Sequence, residues 1–348
     1  MGTPIGDLIW KEEIELSSLK NKTLGVDGHN ITYQFLTTIR DLNGEYLTNS
    51  KGRVTSHIIG LFYRISKLLE KNINLVFCFD GKSLELKKET QQKRKDIKIE
   101  AETIAKQKKE LGETKEASRY MKRTAKITSE MIEDEKELLD CFNIQHFDAL
   151  YDGEAQLSTM NIKGQIDGVI SQDFDVLLLG GKDLYRNIAI SGKKKLPNKD
   201  YYVQVKPEHI NLEKTLEKMQ LTREKLIWIG ILIGTDFNEK VPKVGPKTAI
   251  KLVQENDSLE TIFAKLEYKP DFDYNEVYNI FAKPKAKDIE LNKPQLPDFE
   301  KIKDLLIGKY EFNEDRVNNT LGELEKTLTE KKAQKTLWGW RIENYLYL

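Results

Sequence analysis

Cysteine is nearly absent from this chain: of 348 residues, only Cys78 and Cys141 carry thiols, and neither belongs to a CxxC pair or a histidine-rich spacing. A disulfide framework and a structural zinc module therefore have no basis, and a reducing cytoplasmic setting is the natural expectation. Long hydrophobic runs are missing as well. None approaches the ~20 apolar residues that span a bilayer, and the opening MGTPIGDLIWKEE lacks the basic-then-apolar order of a secretory signal, so no membrane partner is expected. Nor is one charge in excess: 56 basic residues balance 56 acidic ones, and net charge alone argues neither for nor against a nucleic-acid partner. At this length the chain can bury a substantial core as one large domain or two ordinary ones.

What is present is unevenly spread. From Lys82 to Lys126 there are 15 Lys and Arg against 8 Asp and Glu, a net of +7, which suits a segment built to meet phosphate. The stretch from about Ser83 to Thr128 is rich in Lys, Glu, Gln and Ala and has one glycine, Gly112. It predicts two long charged helices joined near Gly112, too polar for the main core and standing out from the body. A second basic segment, SGKKKLPNKD at 191–200, predicts an exposed loop or hairpin before a YYVQV strand.

Short apolar runs ending in acids recur: TLGVD at 23–27, NLVFCFD at 74–80 and GVISQDFDVLLLG at 168–180. Each reads as a buried strand, with helical patterns such as Val54 to Leu69 and Ser129 to Phe142 between them. Strands alternating with helices predict an α/β fold with a central, mainly parallel sheet flanked by helices. Ligands of such sheets bind at the carboxyl ends of the strands, which is where these acids fall.

The candidate metal ligands are Asp27, Asp80, Asp152, Glu154, Asp173, Asp175 and Asp236. Taken singly, an Asp after a strand is more often a turn former or helix N-cap; the case rests on the set. Seven convergent carboxylates would repel one another unless cations neutralise them, and all-oxygen ligands favour Mg²⁺ or Mn²⁺ over zinc. Two such ions about 4 Å apart can activate a water and stabilise charge on a phosphodiester and its leaving oxygen. Asp173 and Asp175, two apart at what reads as a strand tip, can point the same way toward one ion. Asp152 and Glu154 flank Gly153 at the start of a predicted helix.

The runs GVDGHNITYQFL, FDGKSLELKK, DGEAQ, SQDFDVLLLG and GILIGTDFN resemble, in order and spacing, the motifs of the archaeal and eukaryotic flap endonucleases, the XPG/RAD2-type structure-specific 5′ nucleases. The resemblance extends over nearly the whole chain. It implies a PIN-like 5′ nuclease fold with a mixed, mainly parallel sheet, a helical arch over the active site, and hydrolysis of DNA at the base of a 5′ flap in replication and in long-patch base excision repair. A single nuclease domain then spans 1–325: an N-terminal part at 1–82, the arch at 83–128, an internal part at 129–257 and a C-terminal helical part at 258–325, with a tail at 326–348. Asp27, Asp80, Asp152 and Glu154 would serve mainly one Mg²⁺, and Asp173, Asp175 and Asp236 mainly the other. At Asp152 the family usually has Glu, so this shorter side chain would reach its ion through water.

The resemblance gives the basic residues roles too. Lys87 and Arg94, seven residues and about two helical turns apart and so expected on one helical face, would contact the scissile phosphate, although on composition alone they would merely solvate a helix. Gly2 and Tyr33 would contact DNA, Tyr33 by stacking on a terminal base, and Glu154 and Asp236 would also touch substrate. The segment 235–253 resembles a helix-hairpin-helix-like element in which Lys243, Gly245, Lys247 and Lys251 meet phosphate. Lys243 stands where the family carries the first glycine of Gly-x-Gly, and the turn is a candidate for K⁺. QKTLWGW at 334–340 looks like a sliding-clamp-binding motif, with Gln334, Leu337 and Trp340 in its anchor positions and Arg341 in place of the usual second aromatic.

Two readings of other classes compete. A non-catalytic junction-binding protein would share the fold and tail but lack chemistry, which the intact acidic set disfavours. A metal-dependent phosphatase for small substrates would leave the arch, the lysine-bearing hairpin and the tail unexplained. A monomer that attaches to a ring-shaped clamp is the expected assembly.

Overall fold

The structure, a computed structural model, describes residues 3–188, 192–195 and 202–345; the side chains of 88, 89, 192–195, 202–204 and 331–345 lie outside the description. Among the described residues nine strands form: β1 Glu12–Glu13, β2 Thr23–Asp27, β3 Asn74–Phe79, β4 His146–Asp148, β5 Gly168–Ile170, β6 Asp183–Arg186, β7 Gly192–Lys195, β8 Tyr202–Val205 and β9 Glu208–Asn211. Seven of them make one sheet in the order β1-β9-β6-β5-β2-β3-β4, and β7 pairs antiparallel with β8 in a separate two-stranded sheet. The five strands from β4 to β6 run parallel, while β9 and β1 add an antiparallel edge. This is the mixed, mainly parallel α/β sheet expected.

The central strands are buried on both faces, as parallel strands between helices must be. One face packs Leu157, Leu178, Ile229 and Leu232, the other Ile31, Phe62, Leu138 and Val317. Because parallel strands share a direction, the acids after β2 and β3 emerge at one end of the sheet. Close packing there requires glycine: a Cβ on Gly28 would lie 2.4 Å from the Phe79 ring.

Two expectations need correction. GVISQDFDVLLLG is not one strand. β5 stops at Ile170, and Asp175–Leu178 forms a short helix whose residues are all buried; a short apolar run cannot by itself distinguish a buried strand from a buried helical turn. The arch is also asymmetric. A 23-residue helix, Lys88–Glu110, is followed, after a turn at Gly112 (φ 75°), by only eight residues of helix at Thr114–Met121. It does not stand clear of the body: Lys109 pairs with Glu45 at 3.3 Å, the Lys126 N–H donates to the Tyr46 hydroxyl at 3.0 Å, and Gly44 abuts Ser118. Alanines at 101, 105 and 117 are buried in this hairpin, so it folds on small apolar contacts that a count of charges hides.

Residues 283–298 run without helix or strand, and Glu314–Tyr345 forms one continuous helix. No helix among the described residues is long and apolar enough to cross a membrane.

Candidate active site

The structure gathers all seven candidate carboxylates. Asp27 ends β2 and caps the helix Gly28–Thr38 by accepting from the Asn30 N–H at 3.0 Å. Asp80 follows β3, and its Oδ1 accepts from the Gly153 N–H at 2.8 Å. That bond ties Asp80 to the helix Gly153–Ile162, whose first turn carries Glu154. Carboxylate oxygens of Glu154, Asp173 and Asp175 lie within 4.8 Å of one another. Asp173 sits in the bend after β5, and Asp175 opens the short helix, so their convergence comes from a turn instead of a strand pleat.

This crowding has the electrostatic consequence expected of a cation site. Burial, then the neighbouring Asp80, pushes the Asp27 carboxyl up to about 7; burial and Asp173 push Asp175 up to about 7. Glu154 is raised well above the ordinary range by burial and by Asp173, Asp27 and Asp175. Asp173 and Asp152 are raised too, chiefly by burial. Charged oxygens held this close call for a hard divalent cation, and the all-oxygen donor set fits Mg²⁺ or Mn²⁺.

Two cations from the arch answer the outer carboxylates. Lys87 Nζ lies 2.7 Å from Asp152 Oδ1, and Arg94 lies 2.5 Å from Asp236 Oδ1. Lys87 precedes the long arch helix, in a short turn at Glu85–Lys87, so the pair does not share one helical face; both still reach the site. Asp152 occupies the N-cap position without capping, because its side chain turns to Lys87. Lys87 also sits over the Phe237 ring, 5.0 Å from its centre. Tyr33 is half-buried on the helix after Asp27, with Lys98 5.5 Å over its ring.

Sequence reasoning missed the groups that aim the acids. Ser171 Oγ lies 3.0 Å from Glu154 and 3.3 Å from Asp27, and accepts from the Asp173 N–H at 3.1 Å. His29 Nδ1 accepts from the Asp80 N–H at 3.0 Å, and the Asn30 side chain accepts from the Gln172 N–H at 3.1 Å. Ser171, His29 and Asn30 are all within three residues of a candidate ligand, which is the signal that could have found them. Thr3, which contacts Asp175, carries no such signal.

The second expected interface is a helix-hairpin-helix in outline: helix Arg223–Ile233, a turn, and helix Pro246–Glu255 with Gly245 at its N-cap. Lys243 adopts φ +64°, a conformation that favours glycine, so the backbone keeps the glycine shape while presenting a lysine. Lys243, Lys247 and Lys251 are exposed. Gly2 lies outside the described residues, and so do the side chains of Gln334, Leu337 and Trp340.

Comparison with known proteins agrees with this geometry. The XPG N-terminal domain matches residues 7–101 and the XPG I-region matches 143–236. Flap endonuclease 1 of Ignicoccus hospitalis is 42% identical over 325 residues, 93% of each chain. The chain belongs to the flap endonuclease family. Flap endonuclease 1 of Pyrococcus abyssi is 42% identical over 99% of each chain. Among solved structures, the flap endonuclease-1 from Methanococcus jannaschii superposes with a TM-score of 0.74 at 36% identity, covering 95% of this chain and all of that one. The catalytic core of Rad2 in complex with DNA superposes at 0.66 and 25% identity, covering 92% and 97%. As a member of this family, the chain is a nuclease of the α/β 5′ nuclease fold, and its acidic cluster is consistent with metal dependence.

Proposed function

We propose that this flap endonuclease hydrolyses a phosphodiester near the base of a 5′ flap, with 5′-3′ exonuclease activity on related ends, using two Mg²⁺ ions for which Mn²⁺ can substitute. The observation that supports it is the convergence of seven carboxylates at one end of a parallel sheet, faced by two arch cations. Asp27, Asp80, Asp152 and Glu154 serve mainly one ion, and Asp173, Asp175 and Asp236 the other. Bound there, the ions would supply an activated water and neutralise charge on the phosphodiester and its leaving oxygen.

The chain's own groups do the rest. Lys87 and Arg94 hold the scissile phosphate and stabilise its growing charge. Tyr33 stacks on the terminal base near the cut, and Gly2, Glu154 and Asp236 also line the substrate. Lys243, Gly245, Lys247 and Lys251 grip duplex phosphate without reading sequence, with K⁺ as a further ligand of the turn. A 5′ arm with a free end threads beneath the arch. Gln334, Leu337 and Trp340 dock a sliding clamp, placing a cytoplasmic monomer at replication and repair sites.

Single-turnover cleavage of an end-labelled double-flap DNA in Mg²⁺ tests this reading. Incision at the flap base that disappears in Asp175→Ala and slows sharply when the 5′ end is blocked is expected. Tight binding without incision in either metal would replace it with the junction-binding alternative.

A further inference from the structure

Thr3 reaches Asp175 across 172 residues of sequence. Its backbone N–H donates to Asp175 Oδ1 at 2.9 Å and its hydroxyl donates to the same oxygen at 2.5 Å. Thr3 is fully buried, so these bonds form away from competing water, where hydrogen bonds to a charged acceptor are strongest. Its position is fixed from several sides. Ile5 and Ile9, 0% and 2% exposed, anchor the segment in the main core. The Ile5 N–H donates to the Thr3 carbonyl at 2.9 Å, and Gly6 lies against the Phe174 ring, next to Asp175 in sequence.

We infer that Thr3 is a positioning residue of the metal centre: its hydroxyl and N–H together hold one oxygen of Asp175 and thereby fix the carboxylate's rotation toward Glu154 and Asp173. The inference rests on reading Asp175 as a metal ligand. Outer partners of this kind orient a ligand before an ion arrives, and their loss typically weakens metal binding by about 10-fold or more. The consequence for this fold is that its N-terminal segment, ahead of the first sheet strand, is part of the catalytic centre.

Two variants differing only in the hydroxyl separate aim from packing. Thr3→Ser keeps the donor, whereas Thr3→Ala removes it, and both delete the same methyl. Mn²⁺ binding to the full chain is measured by titration calorimetry without DNA, beside flap-DNA affinity in Ca²⁺. Thr3→Ala is expected to weaken Mn²⁺ binding about 10-fold with DNA affinity unchanged, and Thr3→Ser to bind Mn²⁺ within about twofold of the parent. Equal Mn²⁺ affinity in the two variants, whether normal or weakened, overturns the positioning role. A parent chain that binds no Mn²⁺, or an Asp175→Asn variant that binds it normally, instead overturns the assignment of Asp175 on which the inference depends.

Discussion

The floor of the acidic site and its rim are held by different chemistry. On the floor, Asp27, Glu154 and Asp175 face uncharged donors from the body, namely the Asn30 N–H, the Ser171 hydroxyl and Thr3, and Asp173 accepts from the Asp175 N–H at 3.4 Å. On the rim, Asp152 and Asp236 are paired with Lys87 and Arg94 at the base of the arch. Neutral donors orient a carboxylate while leaving its charge for a cation; cations neutralise it and compete. The floor therefore suits a cation, while on the proposed mechanism the rim would couple the arch to that site, because the two arch cations would exchange their carboxylate partners for phosphate.

The sharpest way to break this comparison is to neutralise one acid of each kind. Asp175→Asn should lower the single-turnover cleavage rate by at least about 10³-fold, and Asp152→Asn by clearly less; equal losses in rapid-quench assays would dissolve the distinction. Next, Lys87→Ala and Arg94→Ala should each slow incision by about 10²–10³-fold with flap-DNA affinity in Ca²⁺ little changed. A loss confined to affinity would mean that these cations only attract DNA.

The floor also makes a pH prediction. In the metal-free protein the Asp27 and Asp175 carboxyls hold their protons to about 7, against 3.8 for an ordinary aspartate. Between those values the folded chain binds more protons than the unfolded one, so metal-free stability falls as pH rises from about 4 to 7. On the proposed reading Mg²⁺ would take the protons' place, and it should then raise the melting temperature more at pH 8 than at pH 5. Calorimetry at the two pH values checks this, and an equal Mg²⁺ effect at both would contradict it. Smallest of all, Lys243→Gly should relieve about 1 kcal/mol of left-handed strain while reducing the salt slope of DNA binding by about one. An unchanged slope would remove Lys243 from the phosphate contacts.

Legibility differed from residue to residue. Asp27 and Asp80 were readable because each ends an uninterrupted apolar run, and such a run is a local feature. Asp173 and Asp175 were readable as candidate ligands but misplaced on a strand, since VLLL satisfies the pattern of a buried strand and of a buried helical turn alike. The arch was legible from its charge and from Gly112; its contact with the 41–46 loop was not, because it joins residues far apart in sequence, Lys109 to Glu45 and Lys126 to Tyr46. Thr3 was invisible, since nothing in the sequence around it marks a partner so distant.

By itself, the sequence determined the alternation of buried strands with helices, the acids at strand ends and the basic segment to face them, because burial periodicity and charge are written within a few neighbouring residues. Only the tertiary structure decided which acid meets which partner: Asp152 with Lys87, Asp236 with Arg94 and Asp175 with Thr3. These contacts join residues 65, 142 and 172 positions apart. They exist because the parallel register of β2, β3 and β5 brings the strand ends together, and because the buried Ile5 and Ile9 hold the N-terminal segment against them.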